Sequence, residues 1–158
     1  MENPRQIKKF KRLIRLLNFY PPYFFSGIKV VSYNEDFTFF KVRLKLTWYN
    51  KNLLGTAFGG SLYSMCDPFF MFILIINLGD DYIVWDKAAS IDFKKPGKGT
   101  VFAEFRISPK ELSEIKKEVD QVGKKTFTFP CEVIDNEGKI IANLSKDVYV
   151  RKKSQTSI

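Results

Sequence analysis

The apolar and polar positions of this chain fall into a few periodic stretches separated by turn residues. Ile7, Phe10, Ile14 and Leu17 recur at helical spacing, with Lys8, Lys11, Arg12 and Arg15 on another face. That spacing predicts an amphipathic helix, which Pro21-Pro22 ends. Ile28 and Val30, then residues 37–49, read as two antiparallel strands joined across Asn34-Glu35-Asp36. In the second, Phe40, Val42, Leu44 and Leu46 share one face, and Lys41, Arg43 and Lys45 take the other. A Gly-bearing loop over 51–60 feeds a long helix, about 58–77, that is apolar on nearly all sides. A helix wrapped by a sheet has that composition.

Strands follow near 83–93 and 100–107, separated by the turn Lys95-Pro96-Gly97-Lys98-Gly99. Ser108-Pro109-Lys110-Glu111 has the form of a capping box with proline at the first helical position, opening a short charged helix to about 119. Phe127, Phe129, Cys131 and Val133 alternate as a strand, Asp135-Asn136-Glu137-Gly138 turns, and 139–150 closes the sheet. This order predicts an α+β architecture, one antiparallel sheet folded around one long helix. The expectation is a single domain over 1–158, with a basic amphipathic helix over 1–20 and a basic tail over 151–158.

Composition narrows the function. A 158-residue chain that is 45% hydrophobic and holds 16 Phe can bury enough apolar surface to offset its ordering entropy. Of the net charge of +9, the segments 1–20 and 151–158 carry +8, which leaves 21–150 nearly neutral at +1. The body is therefore not a nucleic-acid surface. The basic ends could serve substrate phosphates, solubility or peripheral contact of the N-terminal helix with a membrane. The apolar run 71–78 is too short to span a bilayer, and no signal peptide is evident. Cys66 and Cys131 form no metal motif and read as buried, reduced thiols of a cytoplasmic protein. There is no histidine, which removes Ser-His-Asp and Cys-His catalysis and most zinc sites. No metal or other cofactor is expected, and hydrolytic chemistry must run on a carboxylate.

One segment offers that carboxylate. Gly59 and Gly60 open the long helix, where free N–H groups and the positive dipole end can hold an oxyanion. Asp67 lies eight residues on, deeper along much the same side, placed to act as general base or nucleophile. Asn52 could orient a water or the Asp. The structural alternatives are a kink at Asp67-Pro68, since Pro68 cannot donate to the Ser64 carbonyl, and simple turn chemistry for Asn52. Lys87 is in phase with Ala89, Ile91 and Phe93 and looks buried, needing Asp67 or a substrate phosphate as partner; a bulge or a surface ion pair would remove that need.

The run Asn52-Leu53-Leu54-Gly55-Thr56-Ala57-Phe58-Gly59-Gly60, followed by Asp67, resembles the signature of the phenylacetate-pathway (PaaI-like) hotdog-fold thioesterases. In those proteins an Asn, a His-Gly-Gly and a helical Asp stand at these spacings. Ser90-Ile91-Asp92-Phe93-Lys94-Lys95-Pro96-Gly97 is similar to the family's strand ending in a Pro-Gly turn. The resemblance covers roughly 23–150. It implies a hotdog fold and a homodimer, which can pair into a tetramer, with Asp67 of one subunit facing Gly59 and Asn52 of the other. It also implies an acyl-thioester substrate, usually acyl-CoA, whose acyl chain enters an apolar tunnel; Phe69, Phe70 and Phe72 either line that tunnel or pack the core. Asp67, Asn52 and Gly59 would then be catalytic, and Gly60, Phe58 and Lys87 would contact substrate.

Three features depart from the pattern. Phe58 replaces the motif His, Pro68 follows the Asp directly, and the helical insertion is longer than the usual hairpin. The chain is similar as well to a branch of the superfamily with Phe-Gly-Gly, Asp-Pro and a strand like Trp85-Asp86-Lys87. Two functions follow: a hydrolase of acyl thioesters, or a non-catalytic hotdog protein that binds acyl-CoA, fatty acid or a similar lipid.

Overall fold

The computed structural model describes the backbone of residues 4–153 and the side chains of 8–153. The side chain of Ile7 and the tail beyond Lys153 lie outside what is described. The elements in chain order are α1 (Pro4–Leu17), α2 (Pro21–Ser26), β1 (Ile28–Tyr33), β2 (Phe39–Lys45), α3 (Gly59–Ser64) and α4 (Phe69–Leu78). They continue with β3 (Tyr82–Phe93), β4 (Thr100–Arg106), α5 (Pro109–Val122), β5 (Lys124–Asp135) and β6 (Ile140–Lys152).

The strands form one six-stranded antiparallel sheet in the order β1-β2-β4-β5-β6-β3, wrapped around the central helix α3–α4. Its inner face reads directly from strand alternation: Phe40, Val42 and Leu44 on β2, Val101, Ala103 and Phe105 on β4, and Cys131 and Val133 on β5 are all buried. Against them α4 buries Phe69, Phe70, Ile73, Leu74, Ile76 and Leu78. Phe69 stacks on Phe105 and Phe70 on Phe129, each at a centroid distance of 4.9 Å. Each such side chain contributes about 1.5–3 kcal/mol by leaving water. Phe69 and Phe70 are thus core residues at 0% and 3% exposure rather than tunnel walls.

The central helix is not continuous. Residues 65–68 separate α3 from α4, because Pro68 has no N–H to extend the ladder and Asp67 N–H reaches only the Ser64 carbonyl at 3.2 Å. The Asp67–Pro68 peptide is cis. Taken as one unit, Gly59–Leu78 has the length and apolar composition of a membrane span, which the shorter run 71–78 does not. Within this fold, six of the ten α4 side chains are buried.

At the N-terminus, α1 lays Ile14 into the core, and the Asn18 side-chain carbonyl accepts from Val30 N–H at 2.8 Å. α1 stops at Leu17, before Pro21-Pro22, and the two prolines open α2 as its first residues. The turn Asn34-Glu35-Asp36 and the capping box Ser108/Glu111 form as expected. The α5 insertion buries Leu112, Ile115 and Val119.

Two strand details set the site. On β6 the buried positions Ala142, Leu144, Lys146, Val148 and Val150 share one face, so a lysine stands in the middle of an apolar stripe. On β3, Tyr82, Val84 and Asp86 face inward until a bulge between Asp86 and Ala88 shifts the phase.

Candidate active site

Asp67 occupies the break in the central helix, between Cys66 and Pro68. Its backbone carbonyl accepts from the Tyr23 hydroxyl of α2, and its side chain is 43% exposed. Lys146 Nζ donates to Asp67 Oδ1 at 2.8 Å and lies 3.1 Å from Asp86 Oδ2. The same ammonium is 3.4 Å from Tyr63 Oη and sits over that ring. Lys146 is 3% exposed. An unpaired ammonium so placed would cost several kcal/mol, and the two carboxylates provide the compensation.

The electrostatics follow from burial and neighbours. Asp86 is pushed up to about 6, first by burial and then by its hydrogen bond with the Asp67 carboxyl; Lys146 opposes both. Burial pulls the Lys146 ammonium down, but its bonds and charge contacts with Asp67 and Asp86 outweigh that and leave it raised. Behind Asp67, the Cys66 thiol is held well above its usual range by a hydrogen bond with Cys131 and by burial. Burial, then the Asp67 charge, raises the Tyr23 phenol. Both cysteines are free and buried, as expected. Tyr63, Asp67, Pro68, Met71, Trp85, Asp86 and Lys146 line a cavity of about 260 Å³.

The glycine pair lines a different cavity. Phe58 is the N-cap of α3, and Gly59 and Gly60 are its first two residues, so their N–H groups lie outside the helix ladder. A cavity of about 410 Å³ is bordered by Thr56, Gly59, Leu62, Phe93, Lys94 and Lys95, among others. A Cβ at Gly59 would lie 3.0 Å from the Phe93 ring, so glycine keeps that space open. Phe58 is 60% exposed and its ring lies over Gly60, where a Cβ would be only 2.5 Å from it. The Pro96-Gly97 turn fixes this corner, with Ala57 N–H donating to the Gly97 carbonyl at 2.9 Å.

Asn52 is committed to its own loop. Its Oδ1 accepts from Leu54 N–H and Thr56 N–H, both at 3.0 Å, and its Nδ2 donates to Thr56 Oγ1 at 3.0 Å. This is the turn chemistry that was the alternative to a water-orienting role. Within one chain, then, Asp67 and Gly59 line separate cavities, and Asn52 borders neither.

Of the readings open for Lys87, burial against an anion or a bulge or surface ion pair, the bulge is the one that forms. Lys87 is the extra residue of the β3 bulge and is exposed, because the bulge moves the inward phase from Asp86 to Ile91 without burying the residue between. The buried cation paired with Asp67 is Lys146. Its signal in the sequence is a lysine in phase with Ala142, Leu144, Val148 and Val150, which strand alternation alone does not distinguish from a surface position. Asp86 gave a similar signal, in phase with Tyr82 and Val84.

A family model described as a domain of unknown function, DUF4442, matches residues 10–150. The chain belongs to the DUF4442 family. No curated protein matches the sequence of this DUF4442 chain. Solved structures show what its fold is similar to. A Pseudomonas aeruginosa protein of unknown function, described as a probable thioesterase, superposes with a TM-score of 0.77 at 18% identity, covering 90% of this chain and 96% of that one. A thioesterase from Haemophilus influenzae gives 0.65 at 11% identity, covering 94% of each chain. The E. coli PaaI protein from the phenylacetic acid degradation operon gives 0.61 at 17% identity, covering 92% and 93%. At these identities the likeness is one of fold, and it is the hotdog-type arrangement of a sheet around a central helix.

Proposed function

We propose that this protein hydrolyses acyl thioesters, with Asp67 as general base or nucleophile. The observation that carries this reading is a partly exposed carboxylate in the break of an apolar core helix, held through one oxygen by a buried lysine and open to a cavity. Such a carboxylate is fixed in orientation and has a second oxygen left for chemistry. The thioesterase descriptions of the Pseudomonas and Haemophilus relatives support the same reading.

In the general-base route, water adds to the acyl carbon as Asp67 takes a water proton. A Gly59 N–H holds the oxyanion, the C–S bond breaks, and the thiolate recovers the proton. This route needs Gly59 and Asp67 in one place, and a second copy supplies it. Strand β3 is an edge strand whose residues 87–90 are exposed, together with Trp85 and Phe93. An unpaired edge of this length invites pairing. Antiparallel pairing of two β3 strands about the Ala89–Ser90 peptide would set Asp86 opposite Phe93 of the partner subunit. The Asp67 cavity of one chain would then adjoin the Gly59 cavity of the other. Lys94 and Lys95 at the latter's mouth suit the phosphates of a coenzyme A carrier.

A second reading, non-catalytic binding of acyl-CoA or fatty acid, is favoured by two observations. Phe58 replaces the motif His, and the Asn52 side chain is already spent on its turn. Thiol release from short-, medium- and long-chain acyl-CoAs by the wild type and by Asp67→Asn separates the readings. Hydrolysis by the wild type that Asp67→Asn lowers at least ~100-fold supports the enzyme. Equal inertness, with acyl-CoA retained by both proteins, supports the binder.

A further inference from the structure

We infer that Lys146 and Asp86 are positioning residues for Asp67: Lys146 fixes its Oδ1, and Asp86 gates its second oxygen by holding or releasing a proton. The inference rests on the hydrolase reading above. Lys146 reaches Asp67 and Asp86 at 2.8 and 3.1 Å from the middle of an apolar strand face, so its ammonium ties the helix break to the edge strand β3. While Asp86 Oδ2 faces that ammonium, Asp86 Oδ1 is buried and accepts no hydrogen bond among the described residues. A buried carboxylate oxygen without a donor is costly, and a proton on it would remove that cost.

The groups that face the pair come from every element around it. Tyr63 lies on α3, Cys66 in the break before α4, Tyr23 on α2, Lys146 on β6, and Cys131 on β5 beside Cys66. The Tyr23 phenol and the Cys66 thiol are held protonated by burial and by their neighbours, so neither titrates in the range of Asp86. The proton in this range is therefore that of Asp86, whose carboxyl shares the Lys146 ammonium with Asp67. When Asp86 is protonated it donates to Asp67 and occupies an oxygen that must take the proton of water. When Asp86 loses that proton to solvent through the shared cavity, its Oδ2 stays on Lys146 and Asp67 is released as a base.

The test uses the full-length protein and two readouts. In the first, kcat/KM for acyl-CoA is followed against pH. The wild type rises through an apparent pKa near the value of about 6 set at Asp86. Asp86→Asn can donate to Asp67 at every pH, so it loses this limb and its alkaline plateau falls about tenfold. Asp86→Ala also loses the limb. A limb of unchanged position in both variants overturns the inference, because a merely structural Asp86 would change rates without moving it.

The second readout needs no activity. Carbon NMR of aspartate carboxyls shows one group titrating near 6 in the wild type and moving upward in Lys146→Met, where the opposing cation is gone. If the wild type hydrolyses no thioester, the hydrolase reading fails, and this titration alone decides whether Asp86 holds its proton beside Lys146 and Asp67. Absence of the titration from the wild-type spectra overturns the inference.

Discussion

Lys146 and Asp67 are 79 positions apart in the chain, yet their Nζ and Oδ1 atoms meet at 2.8 Å. The contact joins the last strand of the sheet to the break in the central helix. It makes a buried lysine tolerable where an alternating strand would otherwise place a valine or leucine.

Removing the cation should therefore cost both stability and activity. For Lys146→Met we expect a loss of about 2 kcal/mol, below the 3–5 kcal/mol typical of a fully buried pair because water reaches one partner. Urea unfolding of the variant measures it. A variant as stable as the wild type would mean that methionine packing offsets the broken pairs.

Asp86 gives the protein a specific pH dependence. Its folded pKa of about 6 lies above the unfolded value of 3.8, so the folded state binds the extra proton between them. Stability from this group is full below the unfolded pKa and is lost as pH rises through the folded pKa. Between about pH 5 and about pH 7.5 the loss is on the order of 1.4 kcal/mol. In Asp86→Asn this component of the slope should vanish, as urea unfolding at the two pH values will show.

Gly27 should tolerate no side chain. Its φ is +73°, and a Cβ there would lie 2.4 Å from the Lys45 carbonyl oxygen and 2.5 Å from Asn50 Nδ2. Asn50 Nδ2 donates from there to the Ser26 and Lys45 carbonyls, so the neighbours cannot yield cheaply. Gly27→Ala should cost about 2–3 kcal/mol from strain and lost hydrogen bonds, seen as a lowered Tm.

Asn52 can be tested as a turn residue and as a water-orienting residue separately. Asn52→Asp keeps an oxygen for the Leu54 and Thr56 N–H groups and should stay within about 0.5–1 kcal/mol of wild-type stability. Asn52→Ala loses those bonds and should fall by about 1–2 kcal/mol. If the role is confined to the turn, thiol release follows stability in both variants. A sharp fall in activity for the stable Asn52→Asp would assign it a chemical role.

Most of the architecture was legible because period and turn chemistry agreed along the chain. The inward positions of β2 and β5, the capping box at Ser108 and the turn after Tyr33 all formed where local rules put them. At Asp67-Pro68 and at Lys87 the sequence left two readings open, and in each the one in which a single residue changes the ladder or the phase is what formed. A bulge has no pattern of its own in a single strand, so alternation carried through it assigns the wrong face. Asp67 was readable as a carboxylate out of place in an apolar helix. Its partner was harder to find, since only the tertiary fold brings position 146 to position 67.

If Asp67 does chemistry rather than only neutralising Lys146, its carboxylate is needed for thiol release and not for binding. The most direct test is a single-turnover mixture of acyl-CoA with excess protein, following free thiol and bound acyl-CoA together. Wild type and Asp67→Asn should both bind the thioester, and only the wild type should release thiol. Thiol release by Asp67→Asn at the wild-type rate would contradict a chemical role for Asp67.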